Sequence, residues 1–376
     1  MKQKLIILGL VFLANFSFAD YQFETIVSGL DDAWSFDFLN DDQVILTEQP
    51  GKIKIITISS GKIEEVSGVP KVQYASQGGL SEIALDPDFK KNSLLYLSYS
   101  ALNQNGKSTL FLMSAELENN RLINKKVIFE AKAYRRVPIH LGAKIDFLPD
   151  GTLLLTSGDG FDHKEKAQNL DNHFGKIIRI NKDGSIPKNN PFIDNNNALP
   201  EIFSYGHRNM QGLVVMEDGT VYEHEHGPRG GDEFNIIQPK KNYGWPAITY
   251  GIDYSGAVIS PFTKMSGMEQ PLKYWVPSIA PSDMIYYSGD LYPELKNSFL
   301  ITALVSRDVR KIQISNNALS EEIIFTKLKT RLRSIGTSPK GELYLLTDGR
   351  KGKLLKILNP NPVSYTHLTL PTKLAV

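Results

Sequence analysis

Phe147–Gly160 reads FLPDGTLLLTSGDG: a turn, a short apolar run flanked by threonines, and a second turn. The pattern recurs as FLNDDQVILTEQPGKIKII (Phe38–Ile56), LDPDFKKNSLLYLSYS (Leu85–Ser100), VVMEDGTVYEHEHG (Val214–Gly227), YPELKNSFLITALVSRDVRKIQI (Tyr292–Ile314) and TSPKGELYLLTDGRKGKLLKIL (Thr337–Leu358). Each unit sets Asp-Asp, Asp-Gly, Lys-Gly or Lys-Asn before a β-rich run, and few segments show a helix-length period. Six such units, irregular but roughly one per 50–60 residues, predict an all-β repeat architecture. Radial repetition leaves only short, protected edges, so the expectation is a six-bladed β-propeller with four-stranded antiparallel blades. A pair of β-sandwiches is the alternative. Lys164–Leu199 and Ile248–Ser278 are too polar to be strands throughout and are expected to be excursions over one face.

The 376 residues admit one large domain or two ordinary ones, and 41% hydrophobic with 22% charged residues is the balance of a soluble globular protein. A net charge of +1 gives no global field toward nucleic acid or an anionic membrane, so neither is expected as a partner. Electrostatic specificity must be local. The absence of cysteine excludes disulfides, thiolate zinc sites and iron–sulfur clusters.

At the N-terminus, Lys2 and Lys4 precede an apolar run from Leu5 to Phe18 and the small-x-small triplet Ser17-Phe18-Ala19. This reads as a signal peptide, residues 1–19, cleaved to release a soluble periplasmic protein; the run is short for a membrane span of ~20 residues. Residues 20–358 are expected to form the propeller. Residues 359–376 are set apart as a tail that no blade needs, their VSYTHL resembling a translated sequencing-adapter end.

Chemistry concentrates in Pro200–Trp245, PEIFSYGHRNMQGLVVMEDGTVYEHEHGPRGGDEFNIIQPKKNYGW. It holds His207, His224, His226, Arg208, Asp232, Glu233 and five glycines from Gly219 to Gly244. Glycine turns among Arg, His and carboxylates suit a pocket that binds an anionic ligand together with a hard cation. In GHRNMQG, Arg208 offers a permanently charged donor fork and Asn209 an amide; a core salt bridge is the plain alternative for the arginine. EHGPRGGDE presents the Gly227 and Pro228 carbonyls in a constrained turn suited to an oxygen-seeking ion, and Glu233 with the backbone near Tyr243 suits a second. Upstream, Gln77 precedes the paired glycines Gly78 and Gly79, where a backbone approaches something closely. His140, in RRVPIHLGAKIDF at a strand entrance, can serve as a general base near neutral pH. Asp159, at the end of the next strand, can orient it if the two loops share a rim. Arg331 and Arg333 in TRLRSIG alternate on one strand face. Two such guanidiniums call for an anion, and with Arg208 they predict a multiply anionic ligand.

These segments resemble the soluble quinoprotein glucose/sorbosone dehydrogenase family, in particular its periplasmic aldose sugar dehydrogenases. The matching stretches are QGGLSEIALDPDF, HLGAKIDFLPDGTLLLTSGDG, GKIIRINKDGSIPKNNPF, PEIFSYGHRNMQGL, EHGPRGGDEFNII, KNYGWPAITYGIDYSG and PSIAPSDMIYYSG, in order from about Ala33 to Leu358. The resemblance implies a propeller that binds pyrroloquinoline quinone (PQQ) and Ca²⁺ on its top face and oxidises aldoses at the anomeric carbon to lactones. It implies His140 as the base on the sugar C1 hydroxyl, with hydride passing to the quinone C5, and Asp159 orienting His140. Arg208 would stabilise charge on the quinone oxygen, and Ca²⁺ on the Gly227 and Pro228 carbonyls would act as Lewis acid. Gln77, Asn209, Tyr254, Ser255, Gly256, Ala303, Leu304, Arg331 and Arg333 would border the cofactor. Glu233 and Tyr243 match a second, structural Ca²⁺ site. The sugar and an unidentified electron acceptor are the expected partners, and either a monomer or a homodimer is compatible.

Three positions depart from the family pattern. Ala303-Leu304-Val305-Ser306 lacks the usual lysine, Asp283 replaces a glycine and adds negative charge near the cofactor, and Ile139 stands where glucose-specific relatives carry Asp. Loss of one charge-assisted hydrogen bond would weaken cofactor binding by about 1.5–3 kcal/mol. The departures leave a non-catalytic sugar-binding or interaction propeller as the second reading. A Ca²⁺-dependent lactonase, which would need a central oxygen-rich Ca²⁺ cage and no arginine cluster, is the third.

Overall fold

Each of the six turns read from the sequence joins the first strand of a sheet to its second. The structure, a computed structural model, describes residues 21–316 and 318–359. The expected signal peptide, and all of the tail but Asn359, lie outside the described residues. These residues form six four-stranded antiparallel sheets, the expected propeller. Blade one is Ala33–Phe38, Gln43–Glu48, Lys52–Thr57 and Lys62–Val66; blade two is Leu80–Leu85, Leu94–Leu102, Ser108–Glu118 and Arg121–Glu130. Blade three is Gly142–Phe147, Leu153–Ser157, Lys176–Ile180 and Ile202–Tyr205; blade four is Met210–Val215, Val221–Glu225, Asp232–Ile237 and Lys273–Trp275. Blade five is Pro281–Tyr287, Ser298–Ala303, Val309–Ser315 and Ala318–Ile324. Blade six takes Leu332–Thr337, Leu343–Thr347 and Gly352–Leu358 from the C-terminal end, and its outer strand, Gln22–Leu30, from the N-terminal end. That pairing closes the ring.

Lys164–Leu199 and Ile248–Ser278 are not wholly excursions. The first contains the third strand of blade three and the second the outer strand of blade four. KIIRI is a fully buried strand framed by polar loops, which masked it in the composition of the segment.

The core is six apolar wedges, one between each pair of neighbouring blades. A blade packed on both faces needs side chains that are apolar on both, which is why Leu153–Leu155 reads as a continuous run rather than an alternation. The six first strands line the central channel, and each carries a register irregularity near its beginning: Ala33/Phe36, Leu80/Ile83, Gly142/Ile145, Met210/Gly212, Pro281/Asp283 and Leu332/Ser334. A bulge bends its strand and re-aims the side chains beside it. Gln77, His140, Arg208, Asn209, Arg331 and Arg333 sit at or just before these bulged ends. Alternate blades are also tied by carboxylates: Asp37, Asp146 and Asp283 accept the backbone N–H of Leu85, Val215 and Ile335 in the following blade.

Candidate active site

His140 enters blade three with φ of 47°, a left-handed conformation that strains a residue with a Cβ. Its backbone is held from both sides. Gln77 Oε1 accepts the His140 N–H at 3.0 Å, and Arg135 Nη1 donates to the Ile139 and His140 carbonyls at 2.9 Å. Gly158 is the partner this geometry needs, because a Cβ there would lie 2.3 Å from the His140 carbonyl oxygen.

The ring of His140 is buried, with Nδ1 2.8 Å from Asp159 Oδ1. Asp159 also accepts the Phe161 N–H and, at 2.8 Å, the indole Nε1 of Trp245. A carboxylate on Nδ1 fixes that nitrogen as the donor and leaves Nε2 as the basic one. Burial holds His140 below its ordinary value, against the opposing pull of the Asp159 hydrogen bond, so the ring is neutral near pH 7. Burial works against ionising Asp159 too, but the His140 hydrogen bond and the nearby charges of His140 and Arg208 outweigh it and keep its carboxyl below the usual range. This is the arrangement of an oriented general base.

Arg208 leads into blade four. Its N–H binds Glu225 Oε2 at 2.6 Å, its carbonyl accepts from Asp159 N–H at 2.7 Å, and Nη1 reaches the carbonyls of His226 and Gly227 at 3.0 and 2.7 Å. The guanidinium lies over Trp245 and Tyr254, 5.2 and 5.9 Å from their ring centroids. Nε is buried without a partner, so the core salt bridge is not what this side chain forms. Asn209 Oδ1 accepts from Gly142 N–H and Gln211 Nε2. Asp232 pins the EHGPRGGDE turn by accepting the N–H groups of Gly227, Ile279 and Ala280.

Two recesses open at this end of the channel. One, of about 520 Å³, is lined by Gln77, Asn209, Leu304, Arg331 and Arg333 among others. The second, of about 290 Å³, is lined by Asp159, Arg208, Pro228, Trp245 and Tyr254 among others. His140 links them through its bonds to Gln77 and Asp159. The remaining expected residues fall differently. Ala303 is buried in the wedge between blades four and five. Ser255 and Gly256 form an exposed turn closed onto Asp253, with open space beside Gly256; only Tyr254 of that trio lines a recess. Tyr243 bonds through its hydroxyl to the Ile236 carbonyl and the Gln238 N–H, so its own carbonyl is the ligand it can offer. Glu233 is pushed by burial up to about 7.

Two expectations are corrected. Arg331 and Arg333 have an internal anion: Asp348 binds Arg331 Nε at 2.6 Å and Arg333 Nε and Nη2 at 2.9 and 2.6 Å. With Arg350 and Asp32 also in the lining, three guanidiniums face two carboxylates and the rim is net positive, but the Arg331–Arg333 pair does not by itself require an external anion. Asp283, in turn, adds no charge at the 520 Å³ recess. Its carboxylate faces the channel interior, where Lys144 Nζ lies 2.7 Å from both Asp283 Oδ1 and Glu82 Oε2, and Ser334 donates to Oδ2. Blades two and five stand opposite each other in the ring, so Lys144 of blade three bridges the channel. Arg135, Trp245 and Asp348 went unnoticed in the sequence as functional positions. Trp245 lies inside the NYGW motif, whereas Arg135 and Asp348 carry no local signal.

Fold and site together define a six-bladed propeller with a buried, carboxylate-oriented histidine beside arginine-rimmed recesses. Comparison with known proteins gives the family: the one described as Glucose / Sorbosone dehydrogenase matches residues 30–356, and the chain belongs to it. Aldose sugar dehydrogenase YliI of Escherichia coli is 36% identical over 342 residues, spanning 89% of this chain and 92% of that protein. Quinoprotein glucose dehydrogenase B of Acinetobacter calcoaceticus is 28% identical over 396 residues, spanning 82% and 81%. A crystal structure of a glucose dehydrogenase superposes with a TM-score of 0.87 at 37% identity, covering 90% of this chain and 99% of its own.

Proposed function

We propose that the chain is a PQQ- and Ca²⁺-dependent dehydrogenase that oxidises the anomeric carbon of aldose sugars to lactones. The observation that carries the reading is the buried His140–Asp159 pair, with Nε2 as the base, joined to a positively rimmed recess. Several features fit the two groups. Arg208 Nε is a buried donor without a partner, the recess has a net positive rim, and the Gly227 carbonyl keeps a second lone pair beside its bond to Arg208. Pro228 lines the smaller recess. Gly227 and Pro228 would hold the Ca²⁺; Gln77, Asn209, Tyr254, Leu304, Arg331 and Arg333 would border PQQ, with Ala303 buried behind them and the exposed Ser255–Gly256 turn at the outer edge. A second Ca²⁺ at Glu233 and the Tyr243 carbonyl belongs to the same proposal, as do export to the periplasm and a mature propeller from residue 20 to 358.

When bound, PQQ with Ca²⁺ as Lewis acid supplies the hydride acceptor. The chain does the rest. His140 Nε2 takes the proton of the anomeric hydroxyl as the C–H bond breaks, and Asp159 holds the ring in pose and stabilises the imidazolium. Trp245 keeps Asp159 from rotating. Arg208 meets developing negative charge with a guanidinium already fixed by two carbonyls, so little reorganisation is needed during the reaction.

The binding-module reading rests on the missing lysine in Ala303-Leu304-Val305-Ser306 and on Asp283; the second support falls away, because that charge is taken up by Lys144. A lactonase-type oxygen cage is disfavoured by the lysine bridging the same channel. The test is to add PQQ and Ca²⁺ to the purified protein, then D-glucose and other aldoses, and follow the cofactor's absorbance. Reduction that requires Ca²⁺ and a free anomeric hydroxyl supports the proposal. PQQ binding without reduction by any aldose overturns the substrate class, and absence of PQQ binding overturns the whole reading.

A further inference from the structure

Below the Arg208 loop, blade four buries carboxylates that have no cationic partner. Strand alternation puts Glu223 and Glu225 on one face of Val221–Glu225, and cross-strand pairing sets Asn235 and Glu233 opposite them. Both Glu223 and Glu225 are buried. Among the described residues neither forms an ion pair with a lysine or arginine side chain. His207 faces them from the end of blade three. The ligating atoms of His207, Glu223 and Glu225 all lie within 4.8 Å of one another.

Three atoms mark this cluster as built for a ligand. His207 Nδ1, Glu223 Oε1 and Asn235 Oδ1 are buried without a hydrogen-bond partner. The His207 ring is fully enclosed, and Nδ1 stands 3.8 Å from Glu225 Oε2, too far for a hydrogen bond. Its other nitrogen is engaged: Ser204 Oγ lies 2.9 Å from Nε2. A hydroxyl accepting the Nε2 proton leaves the Nδ1 lone pair pointing toward the carboxylates, the orientation a metal-ligating histidine needs. Stacking on Tyr243, 4.6 Å between ring centroids, holds the ring in place.

We propose that His207 Nδ1, Glu223 and Glu225, with Asn235 Oδ1 beside them, form a divalent-cation site inside blade four that prefers a first-row transition ion to Ca²⁺. The preference follows from the ligands, since imidazole nitrogen suits Zn²⁺ and the carboxylates also accept Mn²⁺, whereas Ca²⁺ prefers an all-oxygen shell. The site is structural, because no side chain of it lines either recess. Its connection to the active centre runs through Glu225, whose Oε2 holds the Arg208 N–H; an ion there would fasten the Arg208 loop to blade four. The site lies beside the second Ca²⁺ proposed at Glu233 and the Tyr243 carbonyl and takes none of its ligands from that pair. It does not depend on the quinone chemistry.

The test uses the full mature protein without PQQ. The protein is stripped with a chelator, offered Zn²⁺, Mn²⁺ or Ca²⁺ singly, desalted, and measured for metal content and melting temperature. One Zn²⁺ or Mn²⁺ retained per chain with a raised melting temperature is expected, with Ca²⁺ held less tightly. Glu223→Gln, which keeps shape and removes charge, should weaken retention by at least about tenfold and lower the melting temperature of the metal-loaded protein. Four results overturn the proposal. They are no ion retained, unchanged retention in Glu223→Gln, preference for Ca²⁺, or a Glu223→Gln variant that melts higher than the parent in the presence of every ion. The last would mean that the carboxylates share protons instead of a cation. Retention lost in Glu233→Gln but not in Glu223→Gln would return the ion to the Glu233–Tyr243 site.

Discussion

The two ends of the central channel are built from the same six strands and do opposite things. The far end opens into a cavity of about 750 Å³ lined by Phe36, Phe38, Ile145, Leu213 and Met284 among others, larger than either recess at the end that carries His140. Its polar groups are matched: Asp37 and Asp146 bond to backbone N–H groups of the next blade, and Lys144 is held between Glu82 and Asp283. At the His140 end, the strands begin in bulges, a histidine sits at positive φ, and Arg208 Nε has no partner. The larger cavity has its charged groups paired, and the proposed site lies at the end where His140 is strained and Arg208 unmatched.

The largest effect should come from His140→Ala, which removes the base. Turnover with PQQ and Ca²⁺ should fall by about 10²–10⁴-fold while equilibrium PQQ binding, followed by absorbance titration, stays nearly unchanged. Normal turnover would place the chemistry elsewhere. Asp159→Asn should fall in the same range, up to about 10⁴-fold, because it lets a base that is still present take the wrong tautomer. The pH profile separates the two roles. Burial keeps His140 below its ordinary value of 6.5, so kcat/KM should be flat above that pH and fall only at lower pH. Since Asp159 stabilises the imidazolium, Asp159→Asn should move the acid limb to still lower pH; an unmoved limb would mean that another group sets it.

Lys144→Met probes the boundary between the two ends. It leaves Glu82 and Asp283 buried without their cation, and should lower unfolding stability by about 3–5 kcal/mol in denaturant titration, while the folded fraction keeps its kcat. Adding Glu82→Gln and Asp283→Asn should restore much of the loss. If Lys144→Met instead abolished turnover at full stability, the bridge would belong to the active site and the two ends of the channel would not be separate. Smallest of all should be Glu217→Gln at the lining of the far cavity, with less than about 0.5 kcal/mol of stability and no measurable change in kcat/KM. A large kinetic effect there would show that the far cavity takes part in the reaction.

The sequence alone was enough for the propeller, because its evidence is local. Each blade announces itself by a turn between its first and second strands, and by apolar runs that two-sided packing requires. The residue types of the proposed site were legible for the same reason: His140, Asp159, Arg208 and the EHGPRGGDE turn lie at strand ends that the turns locate. What the tertiary structure decided are pairings between residues distant in the chain. Strand Gln22–Leu30 completes a blade whose other strands lie at the far end of the sequence. Asp283 looked like an added charge at the cofactor until Lys144, from a different blade, proved to neutralise it. Arg331 and Arg333 looked short of an anion until Asp348, on the neighbouring strand end, supplied one. Trp245 holds Asp159 from a different blade. A side chain's charge and hydrogen-bonding capacity are written in the chain, but which partner satisfies them depends on how ring closure brings separate blades together.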